Sequence, residues 1–308
     1  MRTVFLGTSE FAAAVLEGLA GEHGRPGRHR PVLVLTRPDR PAGRGRKLAS
    51  PPVADAARAL GIELAQPESV NDPAVHELIA GVSPDALVVC AFGALIKEPL
   101  LSQYEMLNVH PSLLPRWRGA APVERAIMAG DKRTGVSIMR LTAGLDSGPV
   151  CLTASEPIGS RDTFGSLAPR LEHAGGELLL SALDTLDGGE PLQFADQDER
   201  LVTYAEKIGR DDRLLDPVRP AVELERVVRA LHPHIGARVA LSDGTLLGVQ
   251  QAAVAGSASP PAAGVYARDG RLLLGCALGT LELLVVQPPG KRPMDAGAFL
   301  RGHGLPDA

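Results

Sequence analysis

Short apolar runs separated by turns and amphipathic stretches set the pattern of the first two thirds of the chain. Residues 3–6 read as a buried strand and 7–10 (Gly-Thr-Ser-Glu) as a turn, with Ser9 placed to cap a helix over 10–19. A second strand over 31–35, a helix over 53–60, a short strand near 62–64, a helix over 72–80 and a buried strand over 86–91 follow. Leu107-Asn-Val-His110 has the form of the next strand end; after it come a helix over 120–129, strands over 136–141 and 150–154, and a long amphipathic helix within 163–186. Alternating strands and helices predict an α/β unit with a Rossmann-like, mostly parallel sheet.

The chain turns polar between 188 and about 216, and 190–209 is assigned as a linker between domains 1–189 and 210–308. Beyond it the periodicity shortens. A helix over 220–231 precedes short strands separated by Asp243-Gly244, Asp269-Gly270 and Gly279-Thr280, and Asp-Gly between alternating apolar residues is a strong hairpin signal. About five strands with one or two helices predict a small OB-like β-barrel, the oligonucleotide-binding architecture. Residues 257–263 form a low-complexity loop, and no internal repeat is present.

Composition narrows the picture. No apolar run approaches the roughly 18 residues of a membrane span, and the first residues lack a signal-peptide core, so a cytoplasmic protein is expected. Cys90, Cys151 and Cys276 are widely spaced within apolar runs and suggest neither a disulfide framework nor a metal site. Net charge is −4, which argues against a general polyanion binder. Residues 1–206 carry 20 Lys and Arg against 26 Asp and Glu, whereas 207–308 carry 12 against 10; any nucleic-acid contact must rest on local patches. Nothing in the sequence calls for more than a monomer.

One such patch lies in 36–52, which has neither helical nor strand periodicity and is long for a loop in a compact domain. Its residues 37–47 hold Arg37, Arg40, Arg44, Arg46 and Lys47 against Asp39 alone, net +4 over 11 residues. This is either a solvated charged loop or a mobile arm that grips phosphates. The chemistry concentrates further on. In 108–122, Asn-Val-His-Pro-Ser-Leu-Leu-Pro-Arg-Trp-Arg-Gly-Ala-Ala-Pro, Asn108 and His110 lie two apart on an extended backbone and share a face. Pro111 and Pro115 stiffen the turn that follows. Gly144-Leu-Asp-Ser-Gly148 supplies a glycine-flanked carboxylate, Asp146. Amide, imidazole and carboxylate form a plausible set for acyl-group chemistry. A single Gly7 does not match the three-glycine dinucleotide fingerprint, so a nicotinamide cofactor is not expected.

The stretches 37–47, 108–122, 144–148, 202–207 (Val-Thr-Tyr-Ala-Glu-Lys) and 289–294 (Pro-Gly-Lys-Arg-Pro-Met) together resemble the methionyl-tRNA formyltransferases, in order and over nearly the whole chain. Folate-dependent formyltransferases in general share the Asn-x-His-Pro-Ser stretch and the distant Asp; the arginine-rich loop and the C-terminal barrel narrow the resemblance. It implies transfer of a formyl group from 10-formyltetrahydrofolate, a co-substrate, to the α-amine of methionyl initiator tRNA, with no metal. On this resemblance Asn108, His110 and Asp146 fall on catalytic positions, and Ser112, Leu113, Leu114 and Pro115 on the tetrahydrofolate-binding turn. Arg44 falls on a tRNA-recognising loop arginine, with Arg40, Arg46, Lys47, Lys291 and Arg292 as further tRNA contacts. The chain departs from the family over 103–107 (Gln-Tyr-Glu-Met-Leu) and over 232–237 (His-Pro-His-Ile-Gly-Ala), where the family often carries aromatic residues.

The residue types suit direct attack of an amine on a formyl carbon, because no Ser or Cys stands in a nucleophile motif. Asn108 and a protonated His110 can donate hydrogen bonds to the developing oxyanion, while Asp146 orients and charges His110 and can accept the amine proton. Trp117 reads as a residue shaping the loop, and Arg116 and Arg118 as either local ion-pair or phosphate partners. Two alternatives remain. One is a formyltransferase for a small amine, or a formyl-folate hydrolase, neither of which has a use for the basic arm. The other is a non-catalytic RNA-binding protein, which would not need the three polar residues.

Overall fold

The structure, a computed structural model, describes residues 1–21, 27–42, 47–256, 263–303 and 305, with the side chains of Ala42 and Lys47 also outside the description. The chain divides into two compact units: Met1–Ala120, Thr134–Glu156 and Ala168–Ala205 form the first, and Ala121–Arg133, Pro157–Leu167 and Glu206–Ala308 the second. The sequence places its single break at 190–209; the units interleave because two segments before that point cluster with the C-terminal third of the chain.

In the first unit β1 (Thr3–Gly7), α1 (Glu10–Ala20) and β2 (Pro31–Leu35) open the sheet. A hairpin of β3 (Arg40–Ala42) and β4 (Lys47–Ala49) follows, then α2 (Pro52–Leu60), β5 (Glu63–Ala65), α3 (Pro73–Gly81) and β6 (Ala86–Cys90). After these come α4 (Leu100–Gln103), β7 (Glu105–His110), β8 (Arg118–Gly119) and, in the second unit, α5 (Pro122–Ala129). The strands β9 (Arg133–Arg140) and β10 (Val150–Pro157), the helix α6 (Phe164–Asp187) and β11 (Tyr204–Ala205) complete this stretch. Ser9 caps α1 as its sequence position predicts, its hydroxyl accepting from the Ala12 N–H at 3.2 Å. The hairpin is a departure: residues 36–52 carry no strand periodicity, yet Arg40 pairs with Ala49 and Pro41 with Leu48, a pairing too short for period-2 alternation to register.

The seven-stranded sheet runs β10-β9-β7-β6-β1-β2-β5. The ladders β1–β2, β1–β6, β2–β5 and β6–β7 are parallel, and that between β7 and β9 is antiparallel. Chain order reverses on either side of β1, so the carboxyl ends of β1 and β6 form a switch point, where open α/β sheets hold ligands. The ends approach closely there: a Cβ on Gly7 would lie 3.0 Å from the Cys90 carbonyl oxygen and 2.8 Å from Ala12 Cβ. Apolar runs from β1, β2 and β6 bury Val4, Leu6, Leu33, Leu35, Leu87 and Val89 against Ile79 of α3 and Met106 of β7, each Leu or Ile contributing about 1.5–3 kcal/mol of transfer free energy.

The second unit contains α5, α7 (Ala221–Leu231), β12 (Ala237–Ala240), β13 (Leu246–Gly256), β14 (Gly264–Arg268), β15 (Arg271–Gly275), β16 (Thr280–Gln287), β17 (Met294–Asp295) and α8 (Ala296–His303). Its curled antiparallel sheet runs β12-β13-β16-β15-β14, with β17 on β16. Asp269 and Gly270 have φ of 52° and 74° between the paired Arg268 and Arg271, the backbone a two-residue hairpin demands. Helix α8 is not foreshadowed by the sequence, since two glycines in eight residues give it poor helix propensity; burial of Ala296 and Phe299 holds it. At the departure over 232–237, His234 stacks on Phe164 with ring centroids 3.7 Å apart and faces Glu124 at 3.0 Å, so imidazole does the packing there.

Arg125 of α5 grips Asp212 through both terminal guanidinium nitrogens, at 2.6 and 2.9 Å. These hydrogen bonds hold the Asp212 carboxyl below the usual carboxylate range. A lowered folded-state pKa contributes stability that is present above the unfolded value of about 3.9 and is lost as pH falls through the folded value. Urea denaturation of Asp212→Asn is therefore expected to show a deficit at pH 7 that narrows as the pH drops below about 4. An unchanged deficit at acid pH would contradict this.

Candidate active site

Asn108 and His110 stand at the carboxyl end of β7, 6% and 4% exposed. Register fixes them: Asn108 lies between Val89 of β6 and Met139 of β9, and His110 opposite Ser137. Val109 points the other way, where a Cβ on Gly175 of α6 would come within 3.1 Å of its Cγ1. Pairing and alternation thus turn amide and imidazole to one face. The Asn108 side chain makes no hydrogen bond among the described residues. With no protein partner among the described residues, the amide is free to engage a polar atom brought to that position.

His110 is held at one nitrogen and faces a carboxylate with the other. Its Nε2 lies 2.9 Å from the Trp117 carbonyl oxygen; a carbonyl only accepts, so Nε2 carries a proton. Its Nδ1 faces Asp146 Oδ2 at 3.6 Å, and that oxygen accepts the Gly119 N–H at 2.8 Å. The nitrogen left for chemistry is therefore Nδ1, which the carboxylate faces. Sequence reasoning brings the three side chains into one set but does not reveal which nitrogen is spoken for, because the partner is a backbone carbonyl.

Two residues around the set are strained. Trp117 has φ of 65° and Asp146 of 44°, left-handed conformations that cost a non-glycine residue about 1–3 kcal/mol and persist only where the surroundings over-determine them. Gly148 supplies one constraint, since a Cβ there would stand 1.9 Å from the Arg140 carbonyl oxygen. Gly119, with φ of 121°, supplies another; its Cβ would meet the Ala205 oxygen at 2.8 Å.

The turn after His110 is tied down by Ser112 and by Ser137, the second of which the sequence reading does not single out. Ser112 is fully buried and donates to the Arg116 carbonyl at 2.6 Å. Ser137, set opposite His110 by register, donates to the Ser112 carbonyl at 2.7 Å and accepts from the Leu114 N–H at 3.2 Å. The signal for Ser137 was a lone hydroxyl in an otherwise apolar run. Leu114 and Pro115 line a cavity of about 310 Å³ together with Cys151, Thr153, Gln197 and Asp198, whereas Leu113 lies against the β9–β10 crossing at Gly135. Arg116 stacks over the Trp117 ring at 4.4 Å. Arg118 is 3% exposed and forks onto Glu199 at 2.7 and 3.3 Å, the local ion pair that one of its two readings expects.

Neither thiol near the sheet is a nucleophile in waiting. Burial pushes Cys90 far above the ordinary thiol range, and pushes Cys151 up to about 11; both are protonated at neutral pH. Among the described residues no group of His, Cys, Asp or Glu could hold a metal ion.

Of the basic positions, Arg40 is exposed on β3 and Lys47 lies on β4. Arg44 and Arg46 lie outside the described residues. The base of the hairpin is pinned: Gln66 donates to the Arg37 carbonyl at 3.0 Å and to Asp39 at 2.8 Å, and Ser50 donates to Asp39. Lys291 and Arg292 are exposed in the second unit, on the turn between β16 and β17.

Two family models match the chain, that of the formyl transferases over residues 1–183 and that of the formyl transferase C-terminal domain over 207–304. Methionyl-tRNA formyltransferase of Methylococcus capsulatus is 43% identical over 308 residues, covering 99% of this chain and 98% of its own. That of Acidithiobacillus ferrooxidans is 44% identical over 307 residues, covering 98% and 96%. Among solved structures, an N-formyltransferase of Helicobacter canadensis in complex with folinic acid and dTDP-3-aminofucose superposes with a TM-score of 0.65 at 14% identity, covering 92% of this chain and 98% of that one. HypX of Aquifex aeolicus in complex with tetrahydrofolic acid superposes with a TM-score of 0.63 at 17% identity, over 97% of this chain and 47% of the longer one. At these identities the superpositions speak to the fold alone.

Proposed function

We propose, from the premise that this chain belongs to the formyl transferase family, that it transfers the formyl group of 10-formyltetrahydrofolate to the α-amine of methionyl initiator tRNA, giving N-formylmethionyl-tRNA. Full-length identity above 40% to methionyl-tRNA formyltransferases carries this reading. The unpartnered Asn108 amide beside His110 and Asp146 supplies the chemistry.

The amine attacks the formyl carbon, and the carbonyl oxygen gathers negative charge as the carbon becomes tetrahedral. Asn108 donates an amide N–H to that oxygen, and His110 donates from Nδ1. A single well-placed donor of this kind is worth about 2.7–4 kcal/mol in the transition state. Asp146, 3.6 Å from Nδ1, balances the imidazolium and takes up the amine proton directly or through water. The nitrogen of the folate leaves with a proton returned from this pair. The turn Ser112, Leu113, Leu114 and Pro115 holds the tetrahydrofolate, with the adjoining cavity giving it room.

Arg40, Arg44, Arg46 and Lys47 on the arm, with Lys291 and Arg292 on the second unit, engage tRNA phosphates. The protein acts in the cytoplasm as a monomer. Offering the enzyme methionyl initiator tRNA and, separately, a small amine such as glycinamide ribonucleotide or an amino-sugar nucleotide tests the substrate class. Formylation of the tRNA alone is expected; formylation of the small amine alone overturns the proposal. Arg44→Ala is expected to weaken tRNA binding and to lower the slope of log K against log salt by about 0.7–0.9, one phosphate's worth of counterion release. An unchanged slope would show the arm to be an ordinary surface loop.

A further inference from the structure

The segment between the end of α6 and the second unit is polar and reads as a linker, yet its backbone and side chains are committed to the two reactive loops. Ala195 and Val150 exchange backbone hydrogen bonds at 2.9 Å. Thr203 takes the Arg118 N–H on its carbonyl and the Trp117 N–H on its hydroxyl, both at 2.9 Å. Ala205 takes the Ala120 N–H at 2.8 Å, and β11 lies parallel to β8. These bonds seize the loop that follows His110.

Gln197 seizes the other loop. Its side-chain nitrogen donates to the Asp146 carbonyl at 2.8 Å and to the Gly148 carbonyl at 2.7 Å. Its oxygen accepts from Arg118 Nε at 2.9 Å. Two carbonyls on one side and a guanidinium on the other admit a single orientation of the amide, and every donor and acceptor it uses is matched. Arg118 cannot swing away, because its remaining nitrogens are on Glu199.

The backbone groups so held belong to the strained residues. Trp117 has its N–H on Thr203 and its carbonyl on His110 Nε2. Asp146 has its carbonyl on Gln197 and its carboxylate opposite Nδ1. Building on the formyl-transfer reading above, we infer that Thr203 and Gln197 are positioning residues: the 195–205 strap keeps Trp117 and Asp146 in left-handed conformations, and so fixes the His110 tautomer and the place of the Asp146 carboxylate. Neither side chain touches substrate in this account. Removing either lets a strained residue relax and misplaces a reacting group, and misplacement of about 1 Å is enough to cost a large factor in rate.

Thr203→Val keeps the shape and removes the acceptor, Thr203→Ser keeps the acceptor, and Gln197→Met keeps the length and removes the donors. In the full-length protein, Thr203→Val and Gln197→Met are expected to lower kcat by about 10-fold or more with KM for both substrates within about 2-fold, and Thr203→Ser to stay near the parent. The ¹⁵N spectrum of the His110 ring is expected to show one Nε2-protonated form in the parent and in Thr203→Ser, and a mixture in Thr203→Val. Should the valine variant not fold, Thr203→Ala removes the same acceptor and carries the same expectation. Unchanged kcat and ring spectra, or a loss that Thr203→Ser shares equally and that falls on KM, would overturn the inference. A parent that binds folate but formylates no tRNA would instead overturn the functional reading, and the ring spectra would still decide the role of the strap.

Discussion

Asn108→Ala is expected to slow formyl transfer by about 10²–10³-fold in kcat, the usual effect of losing one oxyanion donor, with the affinity for tRNA near that of the parent. The amide is buried and has no partner among the described residues, so its loss strands no donor or acceptor and removes little from the folded protein. It removes only an interaction that strengthens as charge develops on the formyl oxygen, which is why the effect belongs in kcat. His110→Ala and Asp146→Asn should cost as much or more, about 10²–10⁴-fold for a general acid–base pair. Asp146→Asn is the sharper probe. It keeps one oxygen to accept the Gly119 N–H, now 2.8 Å from Oδ2, but removes the negative charge that faces Nδ1. The three substitutions act on one unit, so their effects should be far from additive. Single-turnover rates would separate this chemistry from tRNA binding; loss of affinity with an unchanged chemical step would contradict the assignment.

Gly148→Ala is expected to damage stability and activity together, while Gly144→Ala is tolerated. The two glycines flank Asp146 at similar distance and look equivalent in the sequence. A Cβ at 144 would meet Ser147 Oγ at 2.3 Å, the end of a side chain that can rotate aside. A Cβ at 148 would meet the Arg140 carbonyl oxygen at 1.9 Å, which is backbone in the last residue of β9 and cannot yield without moving the strand. Overpacking of this kind costs about 1–3 kcal/mol, occasionally more. The displaced segment also carries the Gly148 carbonyl that receives Gln197 at 2.7 Å, so the Asp146 loop should shift with it. Denaturant midpoints and kcat for the two variants check this, and equal behaviour of the pair would contradict it.

The parts that were legible in the sequence are those whose determinants are local. Asn108 and His110 lie two residues apart on one strand, Pro111 and Pro115 restrict the turn beside them, and Gly144 and Gly148 mark the Asp146 loop; the structure turns Asn108 and His110 to one face of β7 and sets Asp146 opposite His110 Nδ1. The strand–helix alternation gave the α/β sheet, and Asp269-Gly270 gave a hairpin with the expected positive φ values. What stayed hidden is non-local. Ser137 meets the turn only through the register of β7 and β9, and Gln197 reaches Asp146 from 51 residues away out of a polar stretch that reads as a tether. The grouping of α5 with the C-terminal unit rests on contacts such as Arg125 with Asp212, 87 residues apart, which periodicity cannot register. Helix α8 is held by burial against its own glycine content.

The most direct test is to supply 10-formyltetrahydrofolate and measure formyl transfer to charged initiator and elongator methionyl-tRNA side by side. Rapid formylation of the initiator species with little of the elongator, abolished by Asn108→Ala, is the predicted result. Failure to formylate either tRNA, by a protein that still binds the folate, would contradict it.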